Sequence, residues 1–201
     1  MSNSNGFVLW MTGLSGAGKS TLTEVLAPVL RERGCRVEVL DGDVVRTNLS
    51  KGLSFSKDDR DTNILRIGFV ANLLARNGVA VLTAAISPYR GPRDSNRRLV
   101  ESDGSPFIET YIAASLAECE ARDVKGLYAE ARAGKRAAFT GVDDPYEAPL
   151  NPEIVVPSGD EPLEQSLKRV LNYLETNGLI AGQARPGLTT PVLAGQAGRP
   201  I

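Results

Sequence analysis

The 201-residue sequence contains no histidine and only two cysteines, Cys35 and Cys119. Without histidine the chain cannot build a Ser-His or Cys-His nucleophile pair, and the common zinc sites lose a usual ligand. Neither cysteine belongs to a Cys-x-x-Cys pair, so a disulfide framework is excluded and we expect two reduced packing residues. These absences remove several classes of hydrolase and metalloprotein from consideration.

The chain also lacks a long apolar run and a strong excess of either charge. No apolar stretch approaches the roughly 20 residues of a membrane span, and the start, MSNSNGFVLWMTG, lacks the basic region and cleavage-like site of a signal peptide. The net charge of −1 differs from the basic excess that is typical of nucleic-acid-binding domains. We therefore expect a cytoplasmic protein with neither nucleic acid nor a membrane as its partner.

Short apolar runs alternate with longer amphipathic stretches, a pattern that is typical of βαβ units around a parallel sheet. We predict an α/β fold with a doubly wound, mainly parallel five-stranded sheet flanked by helices. The predicted strands are 7–12, 36–40, 79–86, 107–113 and 153–156. The predicted helices are 19–33, 59–77, 92–101, 116–133 with a break near Gly126, and 162–176.

Two segments fall outside this alternation. Residues 134–152 are rich in Gly, Pro and Asp without clear periodicity, and a loop of that length in a compact domain usually acts as a lid or binding loop. Residues 179–201 contain no acidic residue and are rich in Gly, Pro, Ala and Gln. We predict one domain over 1–178, with a lid at about 122–150, followed by a flexible tail or linker over 179–201.

The segment GLSGAGKS at 13–20 matches the phosphate-binding motif G-x4-G-K-[ST] in full, between a buried strand and an amphipathic helix. Glycines allow the backbone N–H groups to point at phosphate oxygens, Lys19 should bridge the β- and γ-phosphates, and Ser20 should bind Mg²⁺. The predicted ATP-binding residues are Gly13, Leu14, Ser15, Gly16, Ala17, Gly18, Lys19, Ser20 and Thr21. The chain has no guanine-reading N-K-x-D sequence, so a small kinase is favoured over a GTPase.

Two carboxylates, Asp41 and Asp43, follow the second predicted strand and should face the same crevice as the phosphate loop. A kinase needs a carboxylate that orients or deprotonates the acceptor hydroxyl, and we assign this role to Asp43. Asp43 is also predicted to bind Mg²⁺ together with Ser20. The alternative is a polar turn at the strand end, with Asp41 as a helix cap.

Several sequence blocks, in order, resemble those of the adenylyl-sulfate (APS) kinases. They are GLSGAGKST (13–21), DGDVVR (41–46), GLSFSKDDRDTNILR (52–66), ISPYR (86–90), RDVKGLYAEARAG (122–134) and FTGVDDPYEAP (139–149). The resemblance runs from about Gly6 to Asn177. It implies a P-loop kinase fold, usually a homodimer, and Mg²⁺-dependent phosphorylation by ATP of the 3′-hydroxyl of adenosine 5′-phosphosulfate (APS), which gives PAPS.

The resemblance also implies roles for individual residues. Arg46, Arg60 and Asn63 would bind the phosphosulfate, and Phe55 and Phe139 would hold the APS adenine. Further APS contacts are implied for Ile86, Ser87, Lys125 and Leu127; Lys125 would also act on the transferring phosphate, and Arg122 would lie against the ATP adenine. Without the resemblance, Arg60 and Asn63 could be ordinary polar residues at a helix start, and Phe55 and Phe139 could be local loop anchors. The segment that holds Arg122 and Lys125 could be a solvated charged helix.

Departures from the family pattern are small: Val44 replaces an asparagine, and Ala84-Ala85 replaces a Ser/Thr-Phe pair. They bear on the substrate site and not on the type of reaction. Two alternatives stay open, namely another small-metabolite or nucleotide kinase and a catalytically idle P-loop domain that regulates or scaffolds a partner such as a sulfurylase. The tail could be a severed linker to a sulfurylase domain.

Overall fold

Five strands and seven helices alternate along residues 6–182, which the computed structural model describes. The strands are β1 (Phe7–Thr12), β2 (Arg36–Asp41), β3 (Val79–Ala84), β4 (Phe107–Ile112) and β5 (Ile154–Val156). The helices are α1 (Lys19–Glu32), α2 (Gly42–Asn48), α3 (Lys57–Ala75), α4 (Arg90–Ser102), α5 (Leu116–Arg122), α6 (Leu127–Arg132) and α7 (Leu163–Thr176). The strands form one sheet in the order β2-β3-β1-β4-β5, and every pairing is parallel. The predicted doubly wound α/β fold is confirmed.

The central strand β1 is buried along its whole length because both faces of the sheet are covered. Its alternate side chains enter two separate apolar clusters: Leu9 and Met11 pack with α1 and α7, whereas Val8 and Trp10 pack with α3 and α4. Full burial of an aliphatic side chain contributes about 1.5–3 kcal/mol. The two clusters thus fix the strand whose carboxyl end leads into the phosphate loop.

Helices α3 and α4 pack closely because Gly68 has no side chain. A Cβ atom at this position would lie 2.0 Å from Oδ1 of the buried Asn96. The Asn96 amide donates to the carbonyl of Ile64 at 2.9 Å and joins the two helices. We infer that this contact sets the distance between α3 and the segment that precedes α4, both of which reach the site described below.

Helix α2 is absent from the sequence prediction, which placed only a turn after β2. Asp41 is its N-cap and accepts a hydrogen bond from the Asp43 amide at 2.9 Å, so the cap that was left as an alternative is observed. Val45 is the buried residue of this seven-residue helix, and one buried position gives no apolar periodicity to detect.

Two residues just after the predicted domain boundary at Gly178 pack against the core. That glycine has φ +68 and follows Asn177, the C-cap of α7. Leu179 nevertheless packs against the core and Ile180 is buried in it, because apolar residues just after a helix stop commonly fold back onto the last turn. The rest of the predicted tail, from residue 183 onward, lies outside the described residues.

Candidate active site

A cleft of about 570 Å³ opens at the carboxyl ends of β1, β2 and β3, a volume that is typical of small-molecule sites. It brings together most of the residues that the sequence predicted: Ser15, Gly16, Gly18, Lys19, Ser20, Thr21, Asp43, Arg46, Phe55, Arg60, Asn63, Ile86, Ser87, Lys125, Leu127 and Phe139. Gly13, Leu14 and Ala17 are buried and do not line the cleft, and neither does the exposed Arg122.

The phosphate loop owes its shape to glycines in backbone conformations that other residues rarely adopt. Gly13 has φ +151, and a Cβ there would lie 2.6 Å from the carbonyl oxygen of Ile112. Gly18 has φ +108 and precedes α1 without any side-chain cap. The N–H groups of the first turn of this 14-residue helix are therefore available to an anion, and the helix dipole adds positive potential.

Lys19 is 8% exposed and lies inside this loop. Its ammonium donates to the carbonyl oxygens of Gly13 at 2.8 Å and Leu14 at 2.7 Å. Burial lowers the pKa of Lys19 to about 8, with smaller opposing contributions from Cys119 and Asp41. The Lys19 ammonium therefore lies where phosphate oxygens would bind.

The carboxylate that contacts the phosphate loop is that of Asp41. The Ser20 hydroxyl donates to Asp41 Oδ2 at 2.9 Å, while the other carboxylate oxygen caps α2. A hydroxyl beside a carboxylate offers the oxygen ligands that Mg²⁺ prefers. Within residues 6–182 no group of three or more His, Cys, Asp or Glu side chains is placed to hold a metal, so Mg²⁺ would need further oxygens from a ligand.

Asp43 faces the lid and not Ser20. Lys125, in the turn between α5 and α6, donates to its carboxylate and forms an ion pair across the cleft. This hydrogen bond raises the pKa of Lys125. Both side chains stay exposed, 78% for Asp43 and 62% for Lys125, so the pair contributes little to stability and can exchange for a ligand.

The opposite wall contains polar groups that are buried, two of them without partners among the described residues. These are Oδ1 of Asn63 and Oγ of Ser87, and both residues line the cleft. Buried polar atoms normally have hydrogen-bond partners. Two unpartnered polar atoms in residues that line a cleft are therefore candidate contacts for a polar ligand at this wall.

Arg60 is 7% exposed and connects α3 to residues 139–149, which we call the strap. Its guanidinium donates to the Thr140 hydroxyl at 2.8 Å, to the Asp144 carboxylate and to the Ala138 carbonyl. The Tyr89 hydroxyl donates to the same Asp144 carboxylate at 2.6 Å. Arg60 thus lines the cleft while most of its donors are already engaged.

The two predicted aromatic contacts differ in their surroundings. Phe55 is 52% exposed, and the Arg46 guanidinium lies 4.3 Å from its ring centroid. Phe139 is buried and packs edge-on against Tyr128, with ring centroids 5.0 Å apart. Phe139 is therefore both a local anchor and part of the cleft wall, whereas Phe55 is half exposed and has Arg46 over its ring.

Two residues that support the phosphate loop received no role in the sequence analysis. Tyr128, inside the quoted block 122–134, donates its hydroxyl to the carbonyl of Ser15 at 2.9 Å. After β5, the Ser158 hydroxyl donates to the Ala17 carbonyl at 2.6 Å, and Arg122 donates to the Ser158 carbonyl at 2.8 Å. Ser158 lies outside every quoted block, and the available signal for it was its position just after the carboxyl end of a strand.

The predicted lid divides into two parts that are held differently. The predicted helix break is confirmed, since Gly126 has φ +68 and separates the short helices α5 and α6. The strap, in contrast, is fixed to the body of the domain: Arg90 donates to the Ala148 carbonyl at 2.9 Å, and the hydroxyls of Tyr146 and Thr12 lie 2.9 Å apart.

In the described part of the chain, no helix has the length and apolarity needed to cross a membrane.

Comparisons with known proteins agree with this geometry. The family model described as "Adenylylsulphate kinase" matches residues 5–157. The adenylyl-sulfate kinase of Rippkaea orientalis is 58% identical over 176 residues, which cover 88% of this chain and 95% of that protein. The probable bifunctional SAT/APS kinase 2 of Sorangium cellulosum is 55% identical, and the match covers 88% of this chain but 30% of that protein. The structure of the Mycobacterium tuberculosis APS kinase CysC in complex with AMPPNP and APS is 42% identical with a TM-score of 0.81, over 85% of this chain and 98% of that one. This chain therefore belongs to the adenylyl-sulfate kinase family.

Proposed function

We propose that this chain transfers the γ-phosphate of ATP to the 3′-hydroxyl of APS, giving PAPS and ADP in sulfate activation. The observation that carries this proposal is one continuous cleft. It has a glycine-rich cationic loop at one end, the buried polar groups of Asn63 and Ser87 at the other, and Asp43 along its wall. The family membership supports the choice of APS over other acceptors.

The residues from Gly13 to Thr21 would bind the triphosphate of ATP. The N–H groups at the start of α1 face the phosphates, and Lys19 would exchange its bonds to the Gly13 and Leu14 carbonyls for bonds to phosphate oxygens. Mg²⁺ fits beside Ser20, where Asp41 adds a carboxylate oxygen; a role for Asp43 as a second ligand stays a prediction. When bound, Mg²⁺ neutralises charge on the phosphates. Arg122 and the Ser158 loop lie on the outer side of the phosphate loop, which suits contact with the adenine of ATP.

Asp43 would accept the hydrogen of the acceptor hydroxyl and orient it for in-line attack. In the unliganded site this carboxylate is paired with Lys125. The acceptor hydroxyl would replace the lysine, and Lys125 would then turn toward the transferring phosphate and stabilise its charge. The exchange requires little energy because both groups are exposed.

Arg46, Arg60, Asn63 and Ser87 would surround the phosphosulfate of APS, with Ile86 and Leu127 as apolar contacts. Guanidinium groups form strong charge-assisted bonds with sulfate and phosphate oxygens. Arg46 now covers the open face of Phe55, so the adenine of APS would displace this guanidinium toward the anion. Closure of the α5–α6 segment would exclude water, which would otherwise accept the γ-phosphate.

The pKa of Lys19 leads to a prediction for ATP binding as a function of pH. Burial lowers this pKa to about 8 in the free protein, whereas bound phosphates favour the charged form. Below pH 8 the lysine is already charged, so binding needs no proton. Above pH 8 binding must take up a proton, and we expect the affinity to fall by roughly tenfold between pH 7 and pH 9. Titration calorimetry in buffers of different ionisation enthalpy measures the ATP affinity and the number of protons taken up on binding. An affinity that is independent of pH over this range contradicts the prediction.

Partners other than the two substrates stay predictions. A homodimer can be tested by light scattering on the purified chain, and a cytoplasmic location follows only from the sequence expectation. The Sorangium relative is named for two activities, and this chain matches 30% of it. That name supports the idea that a second enzyme of sulfate activation, such as a sulfurylase, associates with chains of this kind.

The direct test incubates the purified chain with ATP, Mg²⁺ and either APS or a panel of nucleoside monophosphates, and measures the phosphorylated products by chromatography. We expect PAPS from APS and little product from the other acceptors. Turnover of another acceptor without PAPS would identify a different small-molecule kinase. ATP binding without turnover of any acceptor would favour the idle regulatory or scaffold domain.

A further inference from the structure

The buried guanidinium of Arg93, on α4, joins three segments behind the acceptor end of the cleft. The side chain is 1% exposed and is among the largest that are fully buried. Nε donates to Glu109 Oε1 on β4 at 2.7 Å, Nη1 to the Ser87 carbonyl at 2.6 Å, and Nη2 to the Glu147 carbonyl at 2.8 Å. No role in the reaction has so far been assigned to this residue, which does not line the cleft.

The bond from Arg93 to the Ser87 carbonyl affects the conformation of Ser87. Its φ of +48 lies in the left-handed region, which residues other than glycine rarely adopt and which persists only where the surroundings enforce it. The Ser87 carbonyl accepts a bond from Arg93, and the carbonyl of the preceding Ile86 accepts one from the Thr12 hydroxyl at 2.7 Å. These bonds fix the peptide groups on both sides of Ser87, and with them the direction in which the unpartnered Ser87 hydroxyl points.

The bond from Arg93 to the Glu147 carbonyl affects the strap. The Glu147 amide donates to the Pro88 carbonyl at 2.8 Å, and the Glu147 carboxylate accepts from the Arg90 amide at 2.9 Å. Arg93 adds the bond from within the domain to the Glu147 carbonyl. The segment 86–90 and the strap therefore form one wall of the cleft, with a single buried cation bonded to both halves.

We propose that Arg93 is a positioning residue for the acceptor. It acts through Ser87 and the strap and keeps the acceptor wall in the shape that APS requires. Among residues 6–182, none of its hydrogen bonds reaches the phosphate loop, so its influence is confined to the acceptor end. Glu109 balances its charge and, among residues 6–182, makes no hydrogen bond to either wall segment. The inference rests on the acceptor role that the proposed function gives to Ser87.

The test is steady-state kinetics of Arg93→Lys with ATP and APS varied in turn. A lysine carries one compact ammonium and cannot reach two carbonyls and a carboxylate in the same fixed geometry. We expect the KM for APS to rise about 10- to 100-fold, because small displacements of a substrate-positioning group cost rates of this order. The KM for ATP should stay within about twofold.

Two control variants separate positioning from loss of stability. Glu109→Gln removes the ion pair but keeps both carbonyl bonds of Arg93, so its thermal midpoint should fall while the KM for APS stays near normal. Arg33→Gln removes another largely buried guanidinium, which pairs with Glu175 away from the cleft, and should behave in the same way. If Arg93→Lys does not fold, Arg93→Gln combined with Glu109→Gln removes both buried charges together and should show the same selective rise.

A double-mutant cycle with Ser87→Ala identifies the route of the effect. If Arg93 acts through the Ser87 hydroxyl, the effect of Arg93→Lys on the KM for APS shrinks in the Ser87→Ala background. A wild-type chain that makes no PAPS would refute the proposed function itself. A wild-type chain that makes PAPS, together with an Arg93→Lys variant whose two KM values are unchanged or rise equally, overturns only the positioning role.

Discussion

Replacing Asp43 by asparagine is expected to lower kcat for PAPS formation about 10³-fold, the size of a lost general base. Asparagine keeps the volume and can still contact the acceptor, but it cannot take the proton of the 3′-hydroxyl. The carboxylate makes its ion pair with Lys125 and, among the described residues, no hydrogen bond to the phosphate loop. ATP affinity should therefore stay within about threefold of wild type, since no bond to the triphosphate site is lost.

The matched control for this variant is Asp103→Asn. Asp103 also forms an ion pair, with Arg76 at 3.2 Å, and lies outside the cleft. Its variant should retain normal kcat. Asp43→Asn with nearly normal turnover would refute the role assigned to Asp43, whereas equal loss of ATP binding and turnover would indicate a role in the phosphate site. Single-turnover measurements at saturating ATP and APS distinguish these cases.

Replacing Lys19 by methionine is expected to lower kcat by about 10²- to 10³-fold, because a preorganised charge at the transferring phosphate is removed. Methionine nearly matches the lysine in length and is well suited to a buried site. ATP affinity should fall less than kcat, since the N–H groups of the loop and the start of α1 stay in place. The variant should also lose the pH dependence of ATP binding between pH 7 and pH 9, which no purely structural defect would produce.

Lys168→Met is the control for Lys19→Met. Lys168 lies on α7, is 67% exposed and pairs with Glu164 at 2.7 Å. Its removal should change neither kinetics nor the pH profile. If Lys19→Met keeps wild-type kcat, or if its ATP affinity still falls steeply above pH 8, then Lys19 is not the group that couples phosphate binding to proton uptake.

The sequence predicted best the segments whose conformation depends on their own residues. The run Phe7–Met11 is apolar throughout because both faces of β1 are covered, and Gly13 and Gly18 occupy backbone conformations that other residues rarely adopt. Because this motif specifies the conformation of its own segment, the sequence predicted β1, the phosphate loop and α1 as one unit. The cleft residues that follow strand ends were predictable for the same reason.

What the sequence could not reveal depends on contacts between distant segments. Arg60 was assigned to the phosphosulfate, yet its guanidinium already makes three hydrogen bonds to residues 138–144, about 80 residues later in the chain. Arg93 reads as one more charge on a basic helix, although it is fully buried. Ile180 follows Gly178 in a stretch of tail-like composition, and only its burial in the core cluster shows that it belongs to the core.

The central claim is that the γ-phosphate of ATP reaches the 3′-hydroxyl of APS in this cleft. Phosphorus NMR of a reaction containing ATP, Mg²⁺ and APS tests it most directly, because it identifies the oxygen that carries the new phosphate and counts it against the ADP formed. We expect one 3′-phosphate per ADP, with APS consumed in step. ADP that accumulates without a 3′-phosphate, or a new phosphate on a different oxygen, would contradict the account.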